Sequence, residues 1–162
     1  MADAGKKFAL QLEAFAKKAG ERANAAVREI IIALDENLVK RSPVGNRELW
    51  AANIKRAEKG LPPLPVGYVG GHFRHSWQYG NWGGSGIPMN ELEGTANDSV
   101  ERVTAQLAGV PDMATKHILI NNTPYAMELE RGHSGQAPEG IVGLAVVEFT
   151  QIVAEAVAKA KE

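Results

Sequence analysis

Residues 116–140 read KHILINNTPYAMELERGHSGQAPEG, and they pass from strand to turn to helix to corner without a long loop between. The opening KHILIN, 116–121, predicts a short apolar strand. Asn122-Thr123-Pro124 makes a turn. Residues 125–130 suit a short helix, because Tyr125 and Leu129 are four apart and share a face, and Gly132 stands where such a helix closes. Ala137-Pro138-Glu139 suits the entrance of a further helix, since proline is favoured at the first helical position and glutamate in the first turn. From Glu139 onward Ile141, Leu144, Ala145, Val147, Glu148, Phe149, Ile152, Val153, Ala156 and Val157 predict a long amphipathic helix. Lys159 and Lys161 sit where cations favour its C-terminal dipole.

The opposite end of the chain carries the other long helix. Phe8, Leu12, Phe15, Ala19, Ala23, Ala26, Ile30, Leu34 and Leu38 step by three or four, with charged residues on the far face. About 30 residues at 1.5 Å each give a rod of about 50 Å. Such a rod outreaches a small domain, so either part of its stripe is covered by another chain or Gly20 bends it back onto its own core. Ser42-Pro43 ends it, because the residue before a proline is pushed out of the helical region. The start, MADAGKKFALQLEAF, lacks the apolar core and cleavage site of a signal peptide and reads as amphipathic helix.

Between these ends lies a different composition. Fifteen of the chain's 25 glycines and prolines fall within the 57 residues 42–98, with all three tryptophans. Residues 48–59 (ELWAANIKRAEK) predict a short helix ended by Gly60, and LPPLP after it a rigid extended spacer. Residues 72–79 (HFRHSWQY) alternate apolar and polar and read as a strand; GNWGGSGIP, 80–88, reads as a loop or wide hairpin. Residues 99–107 (SVERVTAQL) carry helical spacing in Val100, Val103 and Leu107, while their valine and threonine content also allows a strand. The expected fold is α+β: one domain over 1–162, with a small antiparallel or mixed sheet from 72–80 and 116–121, and 99–108 as a candidate third strand. A long N-terminal and a long C-terminal helix pack it, and 42–98 is an extended, loop-rich region inside it.

Composition excludes several chemistries. The 162 residues include no cysteine, which rules out disulfides, thiol catalysis and cysteine-ligated metal. The formal charge of −1 lacks the strongly basic balance of an electrostatic nucleic-acid binder. No apolar run is long enough to span a membrane. Of the four histidines, His72 and His75 would point to opposite faces of the expected strand, and no metal-ligand motif accompanies them. Ser76 and Ser134 each follow a histidine, but adjacent residues rarely align as nucleophile and base, and no nucleophile elbow is present. No cofactor is expected.

The string NNTPYAMELERGHSGQAPEG resembles the tail-completion or neck protein family of tailed bacteriophages. The family's pattern is met by Asn121, Asn122, Tyr125, Leu129, Glu130, Gly132, His133, Ser134, Gln136, Ala137, Pro138 and Gly140. An upstream half is met by Lys40-Arg41-Ser42-Pro43-Val44-Gly45 and by Phe73-Arg74-His75-Ser76-Trp77. Between them the family's short Asp-Thr-Gly link is replaced by about 25 residues, 46–70, that hold Trp50 and LPPLP. The resemblance implies a non-enzymatic virion protein at the head–tail junction, assembled in the host cytoplasm. It implies a cyclic homo-oligomer, expected to be a hexamer, between the connector or stopper and the tail-terminator or tail-tube proteins. Double-stranded DNA would pass through the ring without sequence-specific binding. A tail terminator that caps tube polymerisation is the alternative; a metal-dependent enzyme or a nucleic-acid-binding module are remote ones. The motif residues, Ser42, Pro43, Arg74, Ser76 and Trp77 among them, are expected to serve structure or interface; Glu130, His133, Ser134 and Gln136 are expected to fix the corner before the last helix.

Overall fold

The computed structural model of the chain describes residues 2–66, 70–80, 96–111, 114 and 116–160. Helix α1, Ala2–Arg41, runs 40 residues without a break, about 60 Å. It runs through Gly20 uninterrupted, and residues 6–19 stay exposed, so the helix does not fold back onto the chain's own core. Its C-terminal half is covered, with Ile31, Leu38 and Val39 buried, while Phe8, Leu10, Leu12 and Phe15 remain exposed.

Helix α6, Val142–Lys159, lies antiparallel along the covered half of α1. Near its start Glu148 takes an ion pair from Arg41 and a 3.1 Å hydrogen bond from Asn37. At its end Lys159 pairs with Glu29 at 2.8 Å. Helix α4, Ala96–Ala108, closes the core from another side by burying Val103 and Leu107 against Ile31. Arg28 donates to the carbonyls of Leu107 (2.6 Å) and Val110 (3.1 Å), tying the C-terminal end of α4 and the turn after it to α1. Residues 99–108 are therefore helix and not a third strand: packing of Val100, Val103 and Leu107 outweighs the strand preference of their β-branched neighbours.

The sheet is two-stranded and antiparallel among the described residues. Strand β1, Trp77–Gly80, pairs with β2, Ile118–Asn121, with Trp77 opposite Asn121 and Gly80 opposite Ile118. The strand expected from residue 72 starts five residues later. Residues His72–His75 form one turn of helix, α3. Gly71, at φ 101°, turns the chain into it. Phe73 and Trp77 then sit four apart, bury together and stack edge-on with centroids 5.8 Å apart. The apparent alternation of HFRHSWQY thus combines a helical turn and a strand. His72 and His75 accordingly do not face opposite ways; their rings meet edge-on at 5.0 Å.

Residues 48–59 divide into a 3₁₀ turn, Arg47–Leu49, and α2, Ala51–Ala57. The proline run folds back on α2 because buried Asn53 donates to the carbonyls of Arg47 (2.8 Å) and Leu64 (2.7 Å) and accepts from the Leu64 amide (2.9 Å). The excursion closes at its base: a Cβ on Gly70 would lie 2.4 Å from the Gly45 carbonyl oxygen. Residues 81–95, which hold most of the glycine-rich loop and Trp82, lie outside the described residues. Helix α5, Ala126–Glu130, follows β2 and ends at Gly132, φ 83°. The last helix begins at Val142 and not at Glu139. No helix among the described residues is long and apolar enough to cross a membrane.

Candidate functional site

Ser42 stands at the point where α1 ends. Its hydroxyl donates to the Leu38 carbonyl at 2.7 Å, closing the last turn, and accepts from Trp77 Nε1 at 2.8 Å. Its carbonyl accepts both Arg74 Nε (3.0 Å) and Nη2 (2.7 Å). Ser42 and Ser76 are fully buried, and the Ser76 hydroxyl donates to the His72 carbonyl at 2.6 Å. Pro43 is buried beside them. One serine thus holds a helix end, a guanidinium and an indole from segments more than 30 positions apart.

Gln136 makes the second tie. Its Nε2 donates to the Val44 carbonyl at 2.9 Å and its Oε1 accepts from the Val44 amide at 3.2 Å, as a paired strand would. Gln136 is itself shaped by the tight turn Ser134–Ala137, in which the Ser134 hydroxyl accepts from the Gln136 amide at 3.2 Å. His133, exposed, contacts the Glu128 carbonyl through Nδ1 at 3.2 Å.

Glu130 makes the third. Its carboxylate accepts from the amides of Ile141, Val142 and Gly143, each at 2.9 Å. These are first-turn donors of α6 that have no partner inside the helix. Partial burial alone would raise the Glu130 pKa, but the three amides outweigh it and hold the group below the usual carboxylate value. The acid at the start of α6 is therefore Glu130, eleven positions upstream of Ile141, and not Glu139. Gly140, at φ 82°, lies between, which keeps Pro138 and Glu139 out of the helix. The approach is close enough to demand glycine: a Cβ on Gly140 would sit 2.5 Å from the Glu130 carbonyl oxygen, and one on Gly132 2.3 Å from that of Pro138.

The other expected residues divide. Leu129 packs against the main core, and Tyr125 lies over Phe73 with ring centroids 6.2 Å apart. Pro138 is exposed and acts through its carbonyl beside Gly132. Asn122 is exposed at the turn; its neighbour Asn121 does the holding, donating from Nδ2 to the Phe73 carbonyl at 2.8 Å. Above the corner lies a groove of about 760 Å³ bordered by Val44, Trp50, His72, Tyr125, His133 and Gln136.

A buried polar cluster behind the corner has no counterpart in the sequence reading. Asp35, fully buried on α1, lies 3.4 Å from the Ser99 hydroxyl, which donates to the Trp77 carbonyl at 2.9 Å. Arg102 Nη1 donates to the carbonyls of His75 (2.7 Å) and Trp77 (2.8 Å). Burial pushes the Asp35 pKa up to about 7, against the opposing pull of Ser99 and Arg102. Ser99 has one hydroxyl proton, and the nearer acceptor is Trp77. A proton on Asp35 lets the carboxyl donate to Ser99 and completes the chain. The sequence did carry a signal for Asp35: Ile31, Ile32, Leu38 and Val39, three and four positions to either side, place it on the apolar face of α1.

Among the described residues no three His, Asp or Glu side chains stand together as a metal site requires. At the corner, the side chains of Ser42, Arg74, Ser76, Glu130 and Gln136 all bond to backbone or to each other, so the arrangement fixes chain segments. Comparison of the chain with protein-family models, with curated proteins and with solved structures finds no match.

Proposed function

We propose that the chain is a non-enzymatic structural protein of a tailed bacteriophage, a neck or tail-completion subunit. In this reading copies of it close into a ring, expected to be hexameric, between the connector or stopper and the tail-terminator or tail-tube proteins. It is a virion protein assembled in the host cytoplasm, and DNA slides through its lumen. The observation that carries the reading is Ser42, which receives Arg74 and Trp77 together. The two halves of the upstream signature, separated by the 46–70 excursion, interlock there as parts of one unit. Gln136 adds the downstream signature through Val44. Residues that resemble a family's pattern and also hold one another support a shared architecture more than a matching string alone does. The net charge of −1 fits a lumen that must release phosphates as DNA passes.

The test is a phage genome carrying an amber codon in this gene. The reading expects lysates with DNA-filled heads and separate tails of normal length. Infectious, fully joined particles would refute it. Overlong tubes would instead assign the terminator role.

A further inference from the structure

From residue 6 to residue 19 every side chain of α1 is exposed. Phe8, Leu12 and Phe15 recur there at i, i+4 and i+7, on one face, and are 66%, 57% and 71% exposed. A continuous apolar stripe of this kind marks a contact surface. Further along the same molecule lies an apolar groove of about 250 Å³, bordered by Ile31 and Leu34 of α1, Ile118 of β2, and Val142, Val146 and Phe149 of α6. A helix laying i, i+4, i+7 anchors into such a groove is a standard mode of recognition.

The stripe cannot reach its own groove. Phe15 precedes Ile31 by sixteen positions on an unbroken helix, about 24 Å. That excludes a contact within one chain, and charge favours a second copy as the occupant. Residues 1–22 carry five basic and three acidic side chains, whereas the rest of the chain carries thirteen and sixteen, so arm and body have opposite net charge. Two phenylalanines and one leucine, so exposed, would bury on the order of 400 Å², against roughly 800 Å² per partner in a standard interface. Flanking side chains of the arm can supply the remainder.

We propose that the N-terminal arm of α1 seats in the Val142–Phe149 groove of a neighbouring copy. Arm and groove are different surfaces, so the contact either pairs two copies by reciprocal exchange of arms or runs head-to-tail from copy to copy until a ring closes, and the ring reading selects the second. The proposal rests on the ring reading for that closure, and it specifies which surfaces meet.

The chain has no cysteine, so engineered ones report without background. Phe15→Cys and Val146→Cys are made in separate full-length chains, mixed, oxidised and resolved without reductant, both in concentrated solution and in assembled particles. The expected result is a disulfide-linked pair from the mixture and none from either variant alone. Val147→Cys, 80% exposed but about 100° further round α6, is expected not to link to Phe15→Cys. Rings or oligomers that form without the Phe15–Val146 link, or that link Val147 equally, overturn the arm seating and leave the ring standing. A link within one chain, in a variant that carries both Phe15→Cys and Val146→Cys, overturns it too. A chain that is monomeric in solution and in particles overturns both. Phe8→Ser with Phe15→Ser supplies a second readout: an unchanged melting profile, because both positions are exposed, with self-association at least tenfold weaker. Unchanged association overturns the proposal.

Discussion

Two acids on this chain respond to pH in opposite directions. Asp35 has a folded pKa raised to about 7 from an unfolded value near 3.8. Between those values the folded state holds the proton more tightly, so Asp35 contributes stability below about pH 4 that is lost as pH rises through about 7. Glu130 has a lowered folded pKa; its contribution is present above its ordinary value of 4.5 and lost as pH falls below it. The two windows barely overlap. Asp35→Asn keeps a donor for Ser99 and removes the buried charge. We expect it to stabilise the protein by on the order of 1–3 kcal/mol at about pH 8 and by much less at about pH 5. Denaturant titrations at both pH values check this; equal effects at the two would contradict it. Glu130→Ala leaves three amides at the α6 start without their acceptor, with an expected cost of about 2 kcal/mol. Gly140→Ala is expected to cost as much or more, because the left-handed φ and the Glu130 carbonyl both resist a side chain. The same titrations measure both.

At the scale of elements, the corner is a set of ties between segments, and each can be loosened separately. Gln136→Ala removes the paired bonds to Val44 at the surface. The global melting point is expected to move little, while amide exchange at Val44 accelerates about tenfold, the equivalent of about 1.4 kcal/mol of local opening. Exchange unchanged at Val44 would mean the tie holds nothing. Both long helices and β2 were legible because their patterns are local: α1 and α6 repeat every three to four residues, and ILIN follows a turn-bounded apolar run. The short elements were less so. HFRHSWQY satisfies a period of two by coincidence, and Phe73 with Trp77 satisfies a helical spacing equally well. What decides is burial of that pair under α1, which no window of eight residues contains. The start of α6 misled for a related reason. Pro138 and Glu139 fit the usual entrance, but the acceptor comes from Glu130 on a different helix, and a sequence shows no tie across such a gap. The motif residues of the corner were visible as a string; that Ser42, Arg74 and Trp77 meet was not, because 30 intervening positions carry no mark of contact.

At the scale of the molecule, the shape is lopsided: a packed body and a helical arm that projects beyond it with its apolar face in water. Such a face suits a chain completed by its neighbours, and the neck reading gives those neighbours a place. It also gives the 46–70 excursion a role as surface added to one end of a shared unit, closed on itself by Asn53 and at its base by Gly70. Deleting 46–70 and joining Gly45 to Gly71 through a short link is expected to leave the core melting point within a few degrees, because the ties of Ser42, Glu130 and Gln136 all lie outside it. A collapse of the fold on that deletion would contradict the separation. The central claim is the ring at the head–tail junction. Its most direct test is electron cryo-microscopy of particles in which this chain carries a C-terminal label. The account predicts label density as a closed ring between head and tail, around the DNA channel. Label elsewhere in the particle, or particles that carry none, would contradict it.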